Sequence, residues 1–300
     1  MKIFKIFVTL ALAVASSAVA NAQEPAPGRV VVKAMAEIGL TDGMSLSSDM
    51  NMTEKKTSTN NFGLDLGYKF WAHKRASFDI NAGFGYGVIR NKLGVDDIQY
   101  SYHADPDADQ DGNSYVRYYE VEGIRQNVET KSYTVPLYLT FNIACCEWLT
   151  FHIDAGAQMR FKTSSKVKGS SANYYAYGIY PEYDNLMIDA AWLNNFGHNR
   201  MEDAPTSNVV TNSLTTSLIF GGGLEVMLID PLWIDLGVRY SSGLNDVFVN
   251  KYSGDLYSSS NNVPMSYTVA NGETVNSLTG YLTKSRLSGL SLRLGLVFRF

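Results

Sequence analysis

Four aspartates stand at alternate positions in Asp105-Pro-Asp-Ala-Asp-Gln-Asp-Gly112. In the register Asp107, Asp109, Asp111, Gly112 they match the first half of a calcium loop. Carboxylates fall at positions one, three and five, and a turn glycine follows. Hard oxygen donors so spaced suit calcium. The bidentate acid of position twelve is missing, because Tyr118 stands there and Glu120 comes two residues late. A half motif leaves two readings open, a weak calcium site and a solvated acidic turn. Calcium is the sole cofactor the sequence raises.

Histidine is sparse: His73, His103, His152 and His198. His152 shares a strand face with Asp154, as a base and its orienting acid would. Arg160 and Asp235 compete as partners, and no nucleophile motif accompanies them. A satisfied interior histidine is the plainer reading, and the chain is expected not to be an enzyme. Cys145 and Cys146 are adjacent, so they form no disulfide framework. A strained small ring, an intermolecular bridge and free thiols all stay open. Tyrosine clusters at Tyr115, Tyr118 and Tyr119 and again at Tyr174, Tyr175, Tyr177, Tyr180 and Tyr183. Such rings offer rigid contact area with a polar tip, or pack extended strands on one another.

What positions these residues is a pattern of period two. In Leu290-Ser-Leu-Arg-Leu-Gly-Leu-Val-Phe-Arg-Phe300 every even position is apolar, while the odd ones include Arg293, Gly295 and Arg299. Side chains alternate faces along a strand, so one face is wholly apolar and the other small or cationic. The same alternation recurs over 30–40, 62–70, 78–88, 133–143, 149–161, 214–226 and 232–240. On the second face fall the acids Glu37, Asp65, Asp79, Asp154, Glu225 and Asp235, and the bases Lys33, Lys69, Arg160, Arg239, Arg293 and Arg299. Six of each sign can pair across a shared interior, and pairing is needed there because an unpaired buried charge is costly.

Connection lengths choose among the all-β architectures. Residues 71–77, 144–148 and 227–231 are short links; 41–61, 89–132, 162–213 and 241–289 are long ones. A soluble β-sandwich also alternates apolar and polar, but its solvent face would carry Lys, Glu and Thr rather than the many glycines seen here. Short and long links alternate without exception, as in outer-membrane barrels with periplasmic turns and extracellular loops. The predicted fold is therefore an eight-stranded antiparallel up-and-down transmembrane β-barrel with long extracellular loops and both termini in the periplasm. Aromatics gather at the strand ends: Phe70, Trp71, Phe78, Trp148, Phe151, Trp233, Phe298 and Phe300 by the short links, Tyr86, Tyr133, Phe161 and Tyr240 by the long ones. They are expected to form interfacial girdles.

Residues 1–22 read as a secretory signal peptide: Lys2 and Lys5, an apolar run to Val19, then Ala20-Asn21-Ala22. Residues 23–300 would form the barrel domain, in the outer membrane of a bacterium with a double-membrane envelope. No apolar run after Val19 is long enough to span as a helix. A net charge of −4 argues against nucleic acid as a partner. The partners implied are outer-membrane lipid and an extracellular ligand or envelope partner.

Val135-Pro-Leu-Tyr-Leu-Thr-Phe141, Leu218-Ile-Phe-Gly-Gly-Gly-Leu-Glu225 and Val238-Arg-Tyr-Ser-Ser-Gly-Leu-Asn-Asp246 resemble motifs of the PorT-like outer-membrane β-barrel family. The architecture also resembles the small OmpA and OmpX barrels. A last strand ending on Phe298 and Phe300 is similar to the signal such barrels present to the barrel assembly machinery. The resemblance implies either a non-enzymatic barrel with a large extracellular loop surface, serving adhesion, ligand capture, envelope stability or secretion, or a small channel for ions or solutes.

Overall fold

Strands alternating an apolar face with a polar one satisfy every backbone group in lipid only by closing into a barrel, because an open sheet would leave edge groups unpaired. The computed structural model closes in this way. It describes residues 30–48, 52–95, 98–104, 115–190, 196–202, 209, 211–249, 267–268, 274–275 and 278–300. Residues 1–22, expected to be a signal peptide, lie outside the described residues.

The described residues are almost entirely antiparallel β-structure: β1 Val30–Gly39, β2 Met44–Ser48, β3 Met52–His73, β4 Ala76–Val95, β5 Ile98–Ala104, β6 Tyr115–Cys146, β7 Leu149–Tyr180, β8 Leu186–Ile188, β9 Gly197–Glu202, β10 Leu214–Ile229, β11 Leu232–Asp246, β12 Tyr267–Thr268, β13 Thr274–Val275 and β14 Leu282–Arg299. Eight of them form a closed ring in the order β1, β3, β4, β6, β7, β10, β11, β14 and back to β1. The closing pair runs from Val31 opposite Arg299 to Gly39 opposite Ser291, so first and last staves share a continuous ladder. Antiparallel closure leaves the ring without an edge.

The outer wall is an apolar belt. Phe62, Leu64, Leu66, Tyr68 and Phe70 of β3 all point outward, with Leu64 63% exposed. Ile80 and Phe84 of β4, Leu137 and Leu139 of β6, and Leu292, Leu294 and Leu296 of β14 continue the belt around the ring. Such a contiguous exposed apolar surface is suited to hydrocarbon rather than water. Trp71, Phe78 and Trp148 bound it at the short-turn end, and Tyr86, Tyr133, Phe161 and Tyr240 at the other. Trp233 corrects the expected girdle: it is 8% exposed and faces inward, packed with Val31 and Val297 as an apolar floor to the lumen. Position 233 has the inward parity of Asp235 and Arg239, and parity decides the face.

Much of the long connections is strand, so the tyrosine-bearing segments extend the staves and pack on one another. β4 runs on to Val95, β6 begins at Tyr115 and β7 ends at Tyr180. β6 and β7 stay paired from Cys146–Leu149 out to Val116–Ile179, with four register irregularities along the way. Beyond the belt the alternation keeps its period but inverts its chemistry. Outward positions become Arg90, Lys92, Asn127 and Glu129, while inward ones become Ile89, Leu93 and Val128, each 2% exposed or less. Water outside and an apolar interior demand that inversion, just as lipid outside and a polar interior demand the opposite.

Candidate functional site

Twelve charged side chains occupy inward positions on seven of the eight staves, and eleven of them are buried; Arg299 is partly exposed. Lys33 Nζ on β1 lies 3.2 Å from Glu225 Oε1 on β10, and Arg299 of β14 donates to the other oxygen of the same carboxylate. Arg239 of β11 donates to Glu37 of β1 and lies 3.8 Å from Asp154 of β7. Arg293 of β14 donates to Asp154 and lies 3.2 Å from Asp235 of β11. Apart from Arg293–Asp235, whose staves β14 and β11 are adjacent, these pairs join staves that are not neighbours in the ring, so they cross the lumen. A low-dielectric interior makes such contacts strong and makes an unpaired member expensive.

Asp65, Asp79 and Arg160 have neutral hydrogen-bond partners. Asp65 accepts from the Tyr138 hydroxyl at 2.6 Å, and Asp79 accepts from Asn142 at 2.9 Å. Arg160 donates to Asn61 at 2.8 Å, and Asn61 donates to Glu37 at 3.0 Å, so one amide links the guanidinium to the carboxylate. Lys69 is buried on the same face. Tyr138 was legible only by its parity in β6, yet it is central: its ring also lies under the Arg239 guanidinium, 4.9 Å from centroid to Cζ. Two inward glycines make room. A Cβ on Gly83 would come within 1.9 Å of Asp65 Oδ1, and one on Gly87 within 2.5 Å of Arg160 Nη1.

His152 sits inside this network, 3.4 Å from both Asp154 and Asp235, with Arg293 within hydrogen-bond reach of its ring nitrogens. His152, Glu225 and Asp235 bring ligand-type atoms within 4.8 Å of one another. The donor set nevertheless fits a metal poorly, because Lys33 and Arg299 already neutralise Glu225 and Arg293 already neutralises Asp235. A divalent ion would have to displace cations bound covalently to the wall. Among the described residues, the partners of His152 are Asp154, Asp235 and Arg293.

Above the charged layer the lumen is capped. Ile89, Leu93, Val128, Val247, Phe248, Leu278 and Leu282 are all buried there. The turn of 3₁₀-helix at Leu278–Tyr281 is tied inside by Gln126, whose Oε1 accepts the Leu278 N–H at 2.7 Å. Phe248 is held by its N–H donating to Ser285 Oγ at 3.0 Å. An apolar floor, a paired ionic middle and an apolar cap thus fill the barrel from end to end.

At the far end of β6 and β7 the tyrosines serve packing. Tyr115 stacks on Tyr180 with centroids 5.1 Å apart, and Phe196 meets Tyr115 edge-on at 5.7 Å. Tyr118 stacks on Tyr177 across the ladder at 5.0 Å, and the Tyr175 hydroxyl donates to Asp189 at 2.8 Å. Tyr183, Leu186 and Met187 remain exposed on the tip. Asp107, Asp109 and Asp111 lie outside the described residues. Cys145 and Cys146, at the end of β6, are free thiols.

Residues 21–249 match the family model described as the outer membrane protein beta-barrel domain. No curated protein matches the chain. Among solved structures the chain is similar to Ail, the attachment invasion locus protein of Yersinia pestis, solved with the heparin analogue sucrose octasulfate. The identity is 12% and the TM-score 0.31, over 92% of this chain and all of that one. It is also similar to the beta domain of the Bordetella autotransporter BrkA, with 8% identity and a TM-score of 0.24 over 92% of this chain and all of that one. The translocator domain of NalP from Neisseria meningitidis has 9% identity and a TM-score of 0.22, over 99% of this chain and 96% of that one.

Proposed function

Because the chain belongs to the outer membrane protein beta-barrel domain family, we propose that it is a non-enzymatic barrel that works by its projecting sheet and not through its lumen. The observation that carries this reading is the filled interior. Eight staves leave room only for side chains, and here that room holds cross-lumen ion pairs between an apolar floor and an apolar cap. A solute path would require several buried pairs to break together.

The sheet supplies the other half of the argument. β6 and β7 are each 32 residues long, about three times what a tilted strand needs to cross the bilayer. The excess forms a rigid extension whose tip has its own aromatic core. Rigid sheet presents contact surface at less entropic cost than a loose loop. The short-turn end faces the periplasm on this reading, and the extension faces outward to meet a ligand or envelope partner. The segments resembling PorT-like barrels lie on the wall staves β6, β10 and β11, so they assign the tip no partner.

Two measurements test it. Purified protein in a planar bilayer should give no large, steady conductance, and protease added to intact cells should cleave within 115–202 while leaving a membrane-protected barrel. A reproducible open pore would overturn the plugged lumen, and protection of that segment in intact but not in broken cells would overturn the orientation.

A further inference from the structure

Immediately beyond the tyrosine girdle, one flank of the barrel carries a dense basic band. Tyr86 and Tyr133 are directly opposite each other on β4 and β6; the next outward pairs are Val88–Lys131, Arg90–Glu129 and Lys92–Asn127. Glu129 is shared by three cations: Arg90 Nε at 3.1 Å, Lys131 Nζ at 3.7 Å and Lys168 Nζ at 3.7 Å. Lys166 stands opposite the same carboxylate on β7. One acid therefore fixes several bases without neutralising them. Higher on the wall Lys56 of β3 and Lys92 of β4 are direct cross-strand partners, and both are exposed. Like charges so placed repel, and the described ion pairs give neither lysine a carboxylate. With Arg125, which lies 3.9 Å from Glu54 on the same flank, the band holds seven bases and two acids among the described residues, an excess that wants an anion from outside the chain.

The charge is confined in two directions. On the far flank of the described ring Arg286 lies 3.8 Å from Asp246, with Lys284 nearby. The short turns mix signs, with Lys74, Glu147 and Asp230. The bases point sideways from the staves, towards whatever adjoins the barrel in the plane of the membrane. At a strand rise of about 3.4 Å and a tilt of about 40°, Lys131 lies about 5 Å and Arg90 about 10 Å above the girdle. Lys131 thus falls at the depth of lipid headgroups, about 5–8 Å beyond the hydrocarbon on each side, with Arg90 just above them. Beneath them Phe84, Tyr86 and Tyr133 offer an apolar surface, with Phe84 stacked on Tyr133 at 5.3 Å.

We propose that this flank of β3, β4, β6 and β7 binds the phosphate-bearing headgroup of an acylated lipid in the outer leaflet, acyl chains on the girdle and phosphates on the basic band. Arginine and lysine recognise phosphate through charge-assisted hydrogen bonds, and basic residues at a membrane surface select anionic lipid. The proposal rests on the orientation given above.

Native mass spectrometry of the folded protein released from nanodiscs tests it, with diphosphoryl lipid A and its monophosphoryl form as probes. Wild type should retain the diphosphoryl lipid preferentially. A variant with Arg90→Gln, Lys131→Gln and Lys166→Gln should lose affinity on the order of a hundredfold, whereas Lys284→Gln with Arg286→Gln should retain it. Lys92→Glu gives a second readout, because it supplies Lys56 with a cross-strand acid. It should hold or raise the melting temperature while lowering lipid retention, and a purely structural band would not separate the two. Equal retention by the triple variant, no preference for the second phosphate, or equally tight binding of soluble triphosphate would each overturn the proposal. Nanodiscs have no fixed outside, so this failure is distinct from a failure of the orientation, which intact-cell proteolysis reads.

Discussion

Lys33 and Glu225 are 192 residues apart in sequence and three staves apart around the ring, yet Nζ and Oε1 meet at 3.2 Å in the middle of the lumen. Nothing local brings them together. Each is on the inward parity of its own strand, and closure of β14 on β1 sets the height at which they face each other. The ion pair thus reports on the register of the whole barrel. A one-residue slip anywhere in the ring would turn a charged face towards lipid.

Arg293 is the member whose removal should cost most. It serves Asp154, Asp235 and His152 together and is 1% exposed. Arg293→Leu leaves two carboxylates with less compensation, which in a buried network is worth on the order of 3–5 kcal/mol. The melting temperature of the heat-modifiable form should fall clearly, whereas Lys284→Leu on the exposed wall should change it little. Equal effects would mean that the lumen is hydrated enough to screen the charges.

Gly83 tests the fit between wall and filling. It stands opposite Asp65, and the Cβ of an alanine would meet Asp65 Oδ1 at 1.9 Å and the Leu64 carbonyl at 2.9 Å. Gly83→Ala should destabilise by about 1–3 kcal/mol through overpacking. Combining it with Asp65→Ala should cost less than the sum of the two, since the atom being struck is gone. Additive losses would place the strain on the Leu64 backbone instead.

The membrane wall was legible because lipid imposes one rule. From Phe78 to Val88 every even residue of β4 is apolar, and the inward register that places Asp79, Asp154 and Arg293 follows from it. The same strand became illegible at Ile89, where apolar residues change face: Ile89 and Leu93 turn inward while Arg90 and Lys92 turn out. A search for apolar even positions ends there, although the period continues to Val95. Following parity alone, without fixing which face is apolar, would have extended the strand and found the cap. The partner of each lumen charge was not legible, because it depends on stagger between distant staves. Leu278 was harder still, since its place is set by a single hydrogen bond to Gln126 across the barrel.

That bond gives a third prediction. In Gln126→Ala the Leu278 N–H keeps its buried position but loses its acceptor, a penalty of about 1–3 kcal/mol. The cost should fall on the cap and not on the ring, whose ladders do not involve this side chain. Hydrogen exchange should therefore speed at Leu278–Tyr281 while the β1–β14 closing ladder stays protected. Uniform loss of protection would show that cap and ring unfold as one unit.

Glu129 supplies the pH dependence, beyond the girdle and clear of the membrane-spanning wall. Its partial burial disfavours the ionised form, but the hydrogen bond from Arg90 and the charges of Lys168, Lys131 and Arg90 outweigh this and hold the carboxyl below its ordinary value of 4.5. A depressed folded value means that the unfolded chain binds the proton more readily. The stabilisation is then fully present above the unfolded value and fades as pH falls through the folded one. The effect is small because the bases are about half exposed, and it is local because the four groups span only β4, β6 and β7. Opening free energies from hydrogen exchange, corrected for intrinsic rates, should be flat between pH 7 and 5 along the Arg90–Glu129 ladder. Below about pH 4.5 they should decline there, with no matching change between β11 and β14. Glu129→Gln should remove the decline and leave protection at its acid level throughout, and a decline that persisted in that variant would have to come from another group.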